Sequence, residues 1–139
     1  MKNFILSLAL LLAPALASAD VEVMAVNGSL VAQEQAADFE ITHNEYYRYN
    51  FGHVWLNNRV SAEFIVTARG PANSIIRGMR ISGSMYDAYS NCPRVLVPGQ
   101  SCSVFVYFWP RFEGSHWGRL DLAFADKTIV IDLYGWGVR

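Results

Sequence analysis

The chain has 139 residues, of which 53% are hydrophobic and 17% charged, with eleven Lys and Arg against twelve Asp and Glu for a net charge of −1. So even a balance of sign advertises neither a nucleic acid nor an anionic lipid surface as partner. The length suits one domain once a leader is removed and excludes two.

Lys2 opens an apolar run from Phe4 to Leu12 that ends in the small residues Ala17-Ser18-Ala19. This pattern is a secretory signal peptide over residues 1–19, with cleavage before Asp20. No segment approaches the roughly 20 apolar residues of a membrane helix, so no membrane span is expected. Neither cysteine lies near the cleavage point, which removes the thiol that lipid attachment needs. The mature chain is expected to be exported, periplasmic or extracellular, with ten Lys and Arg against twelve Asp and Glu.

Residues 20–45 read as an N-terminal lead or an added strand. Val21, Val23 and Ala25 alternate as strand residues do, Asn27-Gly28 is a turn dipeptide, and Leu30 to Phe39 is the best helical stretch outside the leader. Residues 46–139 carry period-two alternation throughout. Tyr47 to Val54 is an opening strand with Phe51 inward. Ser61 to Ala68 places Ala62, Phe64, Val66 and Ala68 on one face. Ile75 to Ile81 is a strand with a bulge at Gly78, which turns Met79 and Ile81 to the core. Tyr86 to Tyr89 is a short edge strand. Inward rows follow at Cys102, Val104, Val106 and Phe108, then Leu120, Leu122 and Phe124, then Ile129, Ile131 and Leu133. Ala125-Asp126-Lys127 makes a hairpin loop between the last two. The expected fold is all-β, a single immunoglobulin-like sandwich of about seven strands.

Export places Cys92 and Cys102 in an oxidising compartment, where two cysteines in a short chain pair. Pro98-Gly99 between them supplies the turn that brings their backbones within disulfide reach. Closing that loop is worth roughly 3 kcal/mol in the chain-entropy model. A metal or redox role would need closer spacing or histidine partners. His43, His53 and His116 show no ligand spacing, and no cofactor is expected.

Several segments together resemble a known family: Phe51-Gly52-His53-Val54, Gly70, the run Val97-Pro98-Gly99-Gln100-Ser101-Cys102-Ser103-Val104-Phe105-Val106-Tyr107-Phe108-Trp109-Pro110, Gly118-Arg119-Leu120-Asp121-Leu122 and Leu133-Tyr134-Gly135-Trp136-Gly137. The pattern is similar to the ASPM, SPD-2 and Hydin (ASH) immunoglobulin-like domains, in particular their bacterial choice-of-anchor D or Hydin-like relatives. The resemblance implies a seven-stranded sandwich used for protein contacts, with no catalytic site to carry over. Three positions depart from the family pattern. Ala68-Arg69-Gly70 stands where an Asn commonly precedes the early Gly, and Trp55 follows Val54 where a small residue or Pro is common. The outward positions of the cysteine strand, usually Ser or Thr, are Phe105, Tyr107 and Trp109.

An aromatic row facing water is uncommon without a cover or a partner. Either residues 20–45 fold back over it, burying Val21, Val23 or Leu30, or it is a working surface with Ile65 beside it on the neighbouring strand. Tyr134 and Trp136 form a smaller outward pair on the other sheet. No nucleophile elbow, phosphate loop or metalloprotease motif is present, so an enzyme is not expected. The leading expectation is a binding or structural module that contacts protein, either another copy or a component of a surface assembly, through Phe105, Tyr107, Trp109 and Ile65. The alternative from another class is a carbohydrate-binding module, with Asn57, Asn58 or Arg59 supplying hydrogen bonds beside the aromatics. A hydrolase stands third.

Overall fold

The computed structural model describes residues 19–33 and 44–139. The leader expected over residues 1–19 lies outside this range except for Ala19. Ten strands form two sheets. The four-stranded sheet runs in the order β1 (Val21–Ala25), β4 (Val60–Ala68), β8 (Ser101–Phe108), β6 (Tyr86–Ser90). The six-stranded sheet runs β2 (Val31–Gln33), β3 (Glu45–Trp55), β10 (Thr128–Val138), β9 (Gly114–Phe124), β5 (Ser74–Ser82), β7 (Val95–Leu96). No helix among the described residues is long and apolar enough to cross a membrane. This is the immunoglobulin-like sandwich that the alternation implied, and the seven expected strands are present as β3, β4, β5, β6, β8, β9 and β10.

The inward rows meet in one core. Phe64, Val104, Val106 and Phe108 from one sheet face Leu120, Ile129, Ile131 and Leu133 from the other, all fully buried. Phe51 lies inward as expected, between the rings of Tyr49, Tyr86 and Phe108. The bulge at Gly78 is present as a register shift against β9, and Met79 and Ile81 pack on the core. Cys92 and Cys102 form the disulfide, with Cα atoms 4.9 Å apart.

One reading is corrected and one of two alternatives is narrowed. Val31–Gln33, inside the stretch read as helical, is a strand antiparallel to β3. A short helical propensity is worth little beside an open sheet edge, and the Gln33 amide reinforces the pairing by donating to the Tyr47 carbonyl and to Asp132. The remainder of that stretch, residues 34–39, lies outside the described range. Nor do Val21 and Val23 cover the aromatic row. β1 adds to the edge of β4, with Val21 opposite Ala68 and Val23 opposite Val66, and both valines point into the core. β1 therefore lengthens the sheet, and its two valines do not lie on the outer face. Leu30 also packs on the core.

The closing Gly-x-Gly has a packing reason. Gly135 and Gly137 are buried on β10. A Cβ on Gly135 would lie 2.4 Å from the Phe108 ring, and one on Gly137 would lie 2.5 Å from the Phe112 carbonyl oxygen. The inward row of β10 thus falls from Ile and Leu to nothing, and the vacated space is filled from the opposite sheet by Phe108 and Pro110.

Candidate functional site

The aromatic row lies on the outer face of the four-stranded sheet, on β8 and the residue after it. Strand alternation puts Cys102, Val104, Val106 and Phe108 inside, so Phe105, Tyr107 and Trp109 must point out. Pairing assigns each its neighbours. Phe105 sits between Glu63 on β4 and Tyr89 on β6, and Tyr107 sits between Ser61 and Asp87. Ile65 pairs with Ser103, one rung away from Phe105, and has Met24 of β1 on its other side. Ile65 therefore shares the face with the row without standing directly beside it.

Sequence reasoning missed Tyr89 and Arg111 on this face and named Arg59 only as a hydrogen-bonding group beside the aromatics. Tyr89 is 59% exposed and stacks on Phe105 with ring centroids 6.4 Å apart. The Arg59 guanidinium lies 4.2 Å above the centre of Tyr107, and that of Arg111 lies 4.9 Å from the centre of Trp109. Neither guanidinium is in an ion pair among the described residues. Arg111 donates to the Ser84 carbonyl instead, at 2.7 Å. Both arginines sit in loops that the fold pins beside β8. The turn before Arg59 is tied to the Pro110 carbonyl through the Asn57 amide, and the Trp109 amide donates to the Met85 carbonyl. Period-two reading of strands has no means of finding a cation that arrives from a loop.

At this end of the row a shallow cleft of about 320 Å³ opens between Arg59, Asp87, Tyr107, Trp109 and Arg111. Its rings are already covered by guanidinium groups, and Asp87 is its only carboxylate. The polar neighbours along the rest of the face are internally satisfied, with the Ser103 hydroxyl donating to Glu63 at 2.6 Å and Thr67 hydrogen-bonded to Ser101 at 2.8 Å. Asn57 and Asn58, expected to flank the row, form the turn between β3 and β4, with Asn57 at φ 67°. Arg59 alone of the three reaches a ring.

His43 lies outside the described residues, and His53 and His116 have separate partners. The His116 Nε2 atom hydrogen-bonds the Phe112 carbonyl at 2.7 Å, while His53 stacks on Trp136. Among the described residues no three His, Cys, Asp or Glu side chains gather in a way that could hold a metal ion. Burial raises the pKa of the Tyr86 hydroxyl, which donates to the His116 carbonyl, and of the Tyr49 hydroxyl, which donates to the Asn27 carbonyl. Burial, followed by its hydrogen bond to Glu45, pushes Tyr47 up to about 12. All three are structural tyrosines inside hydrogen bonds.

No family model matches the sequence, and no curated protein matches it. Solved structures do share the architecture. A protein of unknown function from Porphyromonas gingivalis W83 superposes at a TM-score of 0.60 over 88% of this chain and 48% of its own, with 10% identity. The fold is shared. The VesB protease of Vibrio cholerae gives a TM-score of 0.54 over 64% of this chain and 30% of its own, with 19% identity. The chain thus spans about half of the first structure and less than a third of the second. The ASH/PapD-like domain 7 of human CEP192 lies further off, at a TM-score of 0.46 and 13% identity over 66% of this chain and 81% of that domain, a likeness too loose to carry weight.

Proposed function

We propose that the chain is a non-catalytic, exported immunoglobulin-like module of the ASH or Hydin-like type that binds another protein through the outer face of its four-stranded sheet. The observation that carries this reading is the pair of cation–ring contacts, Arg59 on Tyr107 and Arg111 on Trp109, next to the exposed Tyr89 and Trp109. Tyr, Trp and Arg are the residues that dominate the energetics of protein interfaces. Here Tyr89 and Tyr107 stand on strands, Arg59, Trp109 and Arg111 sit in loops pinned beside β8, and the cation–ring contacts brace them, so little side-chain entropy remains to be lost on binding. Met24, Ile65 and Phe105 extend the apolar surface toward β1, and Glu63 and Asp87 punctuate it with charge. A sugar is disfavoured on this face because its best rings are already capped by guanidinium groups. The first partner to test is another copy of the chain.

Trp109→Ala is expected to change folding stability by about 1 kcal/mol, since the ring is 43% exposed, and to weaken association by about 2 kcal/mol or more. Sedimentation equilibrium of the mature chain, with and without Phe105, Tyr107 and Trp109 replaced by Ser or Thr, checks the self-association form of the proposal. A wild-type chain that stays monomeric at high concentration removes self-association. Undiminished partner binding after the triple replacement removes the interface itself.

A further inference from the structure

The outer face of the six-stranded sheet carries a second aromatic train that the proposed interface does not use. Strand pairing arranges it in two rungs. Asn50, Tyr134 and Trp117 lie side by side across β3, β10 and β9, and His53, Trp136 and Ser115 form the next rung. Ring centroids are 4.5 Å apart for Trp117 and Tyr134, 6.0 Å for Tyr134 and Trp136, and 5.9 Å for Trp136 and His53. Trp117 is 57% exposed and Trp136 37%.

A bulge builds this arrangement. Tyr134 pairs with Asn50, but two residues further along β10, Trp136 pairs with His53 and not with Gly52. The extra residue turns His53 outward beside Trp136, where regular pairing would have turned it into the core. Gly52 takes the positive φ of 76° that the bulge needs, and its amide donates to the Asn50 side chain at 2.7 Å. A cleft of about 190 Å³ opens between Asn50, Gly52, His53, Tyr134 and Trp136, and a Cβ on Gly52 would meet nothing within 4 Å. Bulges of this kind recur next to binding sites because they re-aim a side chain.

We propose that this cleft binds one ring of a neutral oligosaccharide, with the sugar's C–H face on Trp136 and a neighbouring unit reaching Trp117. Two features select that ligand. Among the described residues no guanidinium caps these rings, in contrast to Tyr107 and Trp109 on the other sheet. On the adjoining rung Arg119 is paired with Asp132 at 2.8 Å, while Arg48 keeps its charge and is hydrogen-bonded to the neutral Gln33 side chain at 3.2 Å. Hydrogen-bonding groups border the rings at Asn50, His53 and Ser115, where the rim hydroxyls of a stacked sugar would lie. The volume is below the roughly 300 to 1,000 Å³ of pockets for drug-sized molecules and fits a single ring. Because every contributing side chain stands on a strand, the surface is preorganised.

The test is titration of the mature chain with cellohexaose, chitohexaose, xylohexaose and mannohexaose, followed by NMR of the four tryptophan indole N–H signals. At least one sugar is expected to shift the Trp117 and Trp136 signals and leave Trp109 unmoved. Trp117→Ala and Trp136→Ala are each expected to weaken that binding by about tenfold or more, and Trp109→Ala to leave it intact. Should Trp136→Ala fail to fold, the wild-type shifts and Trp117→Ala still decide. The proposal is overturned if none of the four sugars moves these signals at millimolar concentration, if Trp109 responds in their place, if binding survives loss of Trp117, or if Trp117 and Trp136 prove to capture a protein and no sugar.

Discussion

Gly135→Ala tests whether the packing across the sandwich is as tight as the closing glycines imply. The new methyl carbon would stand 2.4, 2.8 and 2.9 Å from three atoms of the Phe108 ring. That ring cannot swing aside, being fully buried and packed against Tyr86 at 4.9 Å and Phe51 at 5.5 Å between centroids. Overpacking a core by one carbon costs about 1 to 3 kcal/mol, and the boxed ring argues for the upper end. Replacing glycine also restricts the unfolded chain, which returns about 0.4 to 1 kcal/mol, and Gly135 has no positive φ to add strain. The net expectation is a loss of about 2 kcal/mol, or about 8 °C in Tm for a domain of this size. Urea denaturation with the disulfide intact measures it, with the m-value unchanged. Introducing Phe108→Leu should relieve the alanine by about 1 kcal/mol or more in a double-mutant cycle. A Gly135→Ala chain as stable as the wild type, or costs that simply add with Phe108→Leu, would refute the reasoning.

Cys102→Ala is expected to cost about 2 to 5 kcal/mol in thermal or urea unfolding, and free thiols in the chain purified without reductant would contradict the disulfide. Val23→Asp should destabilise by about 3 kcal/mol because the carboxylate would enter the core opposite Val66; a neutral outcome would mean that β1 does not belong to the sandwich. Stability should hold below pH 10 and fall above it. Tyr47 at about 12, with Tyr49 and Tyr86 also raised, keeps its proton in the folded state after the unfolded chain has lost it, so the unfolded state binds fewer protons and the slope with pH is negative. Tm across that range, followed alongside tyrosinate absorbance, checks the sign, and tyrosines titrating normally in the folded chain would contradict it.

The seven principal strands were legible because burial imposes a period of two that Phe64, Val66, Cys102, Val104 and Leu120 display without interruption. The disulfide and the bulge at Gly78 were legible for local reasons, a turn between cysteines and a glycine that breaks the alternation. What escaped depends on partners distant in sequence. Val31–Gln33 has no strand signal of its own and is recruited by the edge of β3. Val95–Leu96 is too short to show a period. The bulge at Gly52 could not be seen from Phe51-Gly52-His53 alone, because it exists only relative to β10. The aromatic row was legible as outward, but whether residues 20–45 cover it was not, since Val21 and Val23 fit an inward strand as well as a lid. Arg59 was expected beside the row as a hydrogen-bonding group, but its place over Tyr107, and that of Arg111 over Trp109, emerged only once the loops carrying them were placed.

The parallel pairing of β3 with β10 joins Glu45 to Ile129 and Trp55 to Val138 and puts β10, the last strand of the domain, at the centre of the six-stranded sheet. On a growing chain, β3 and β9 would both emerge before the strand that bridges them. The loop to be closed spans most of the domain, which makes the pairing slow. Until β10 arrives, Ile129, Ile131 and Leu133 are missing from the core and β3 has no long neighbour. The topology thus makes the last strand to emerge the one that completes the core and joins the two halves of the larger sheet.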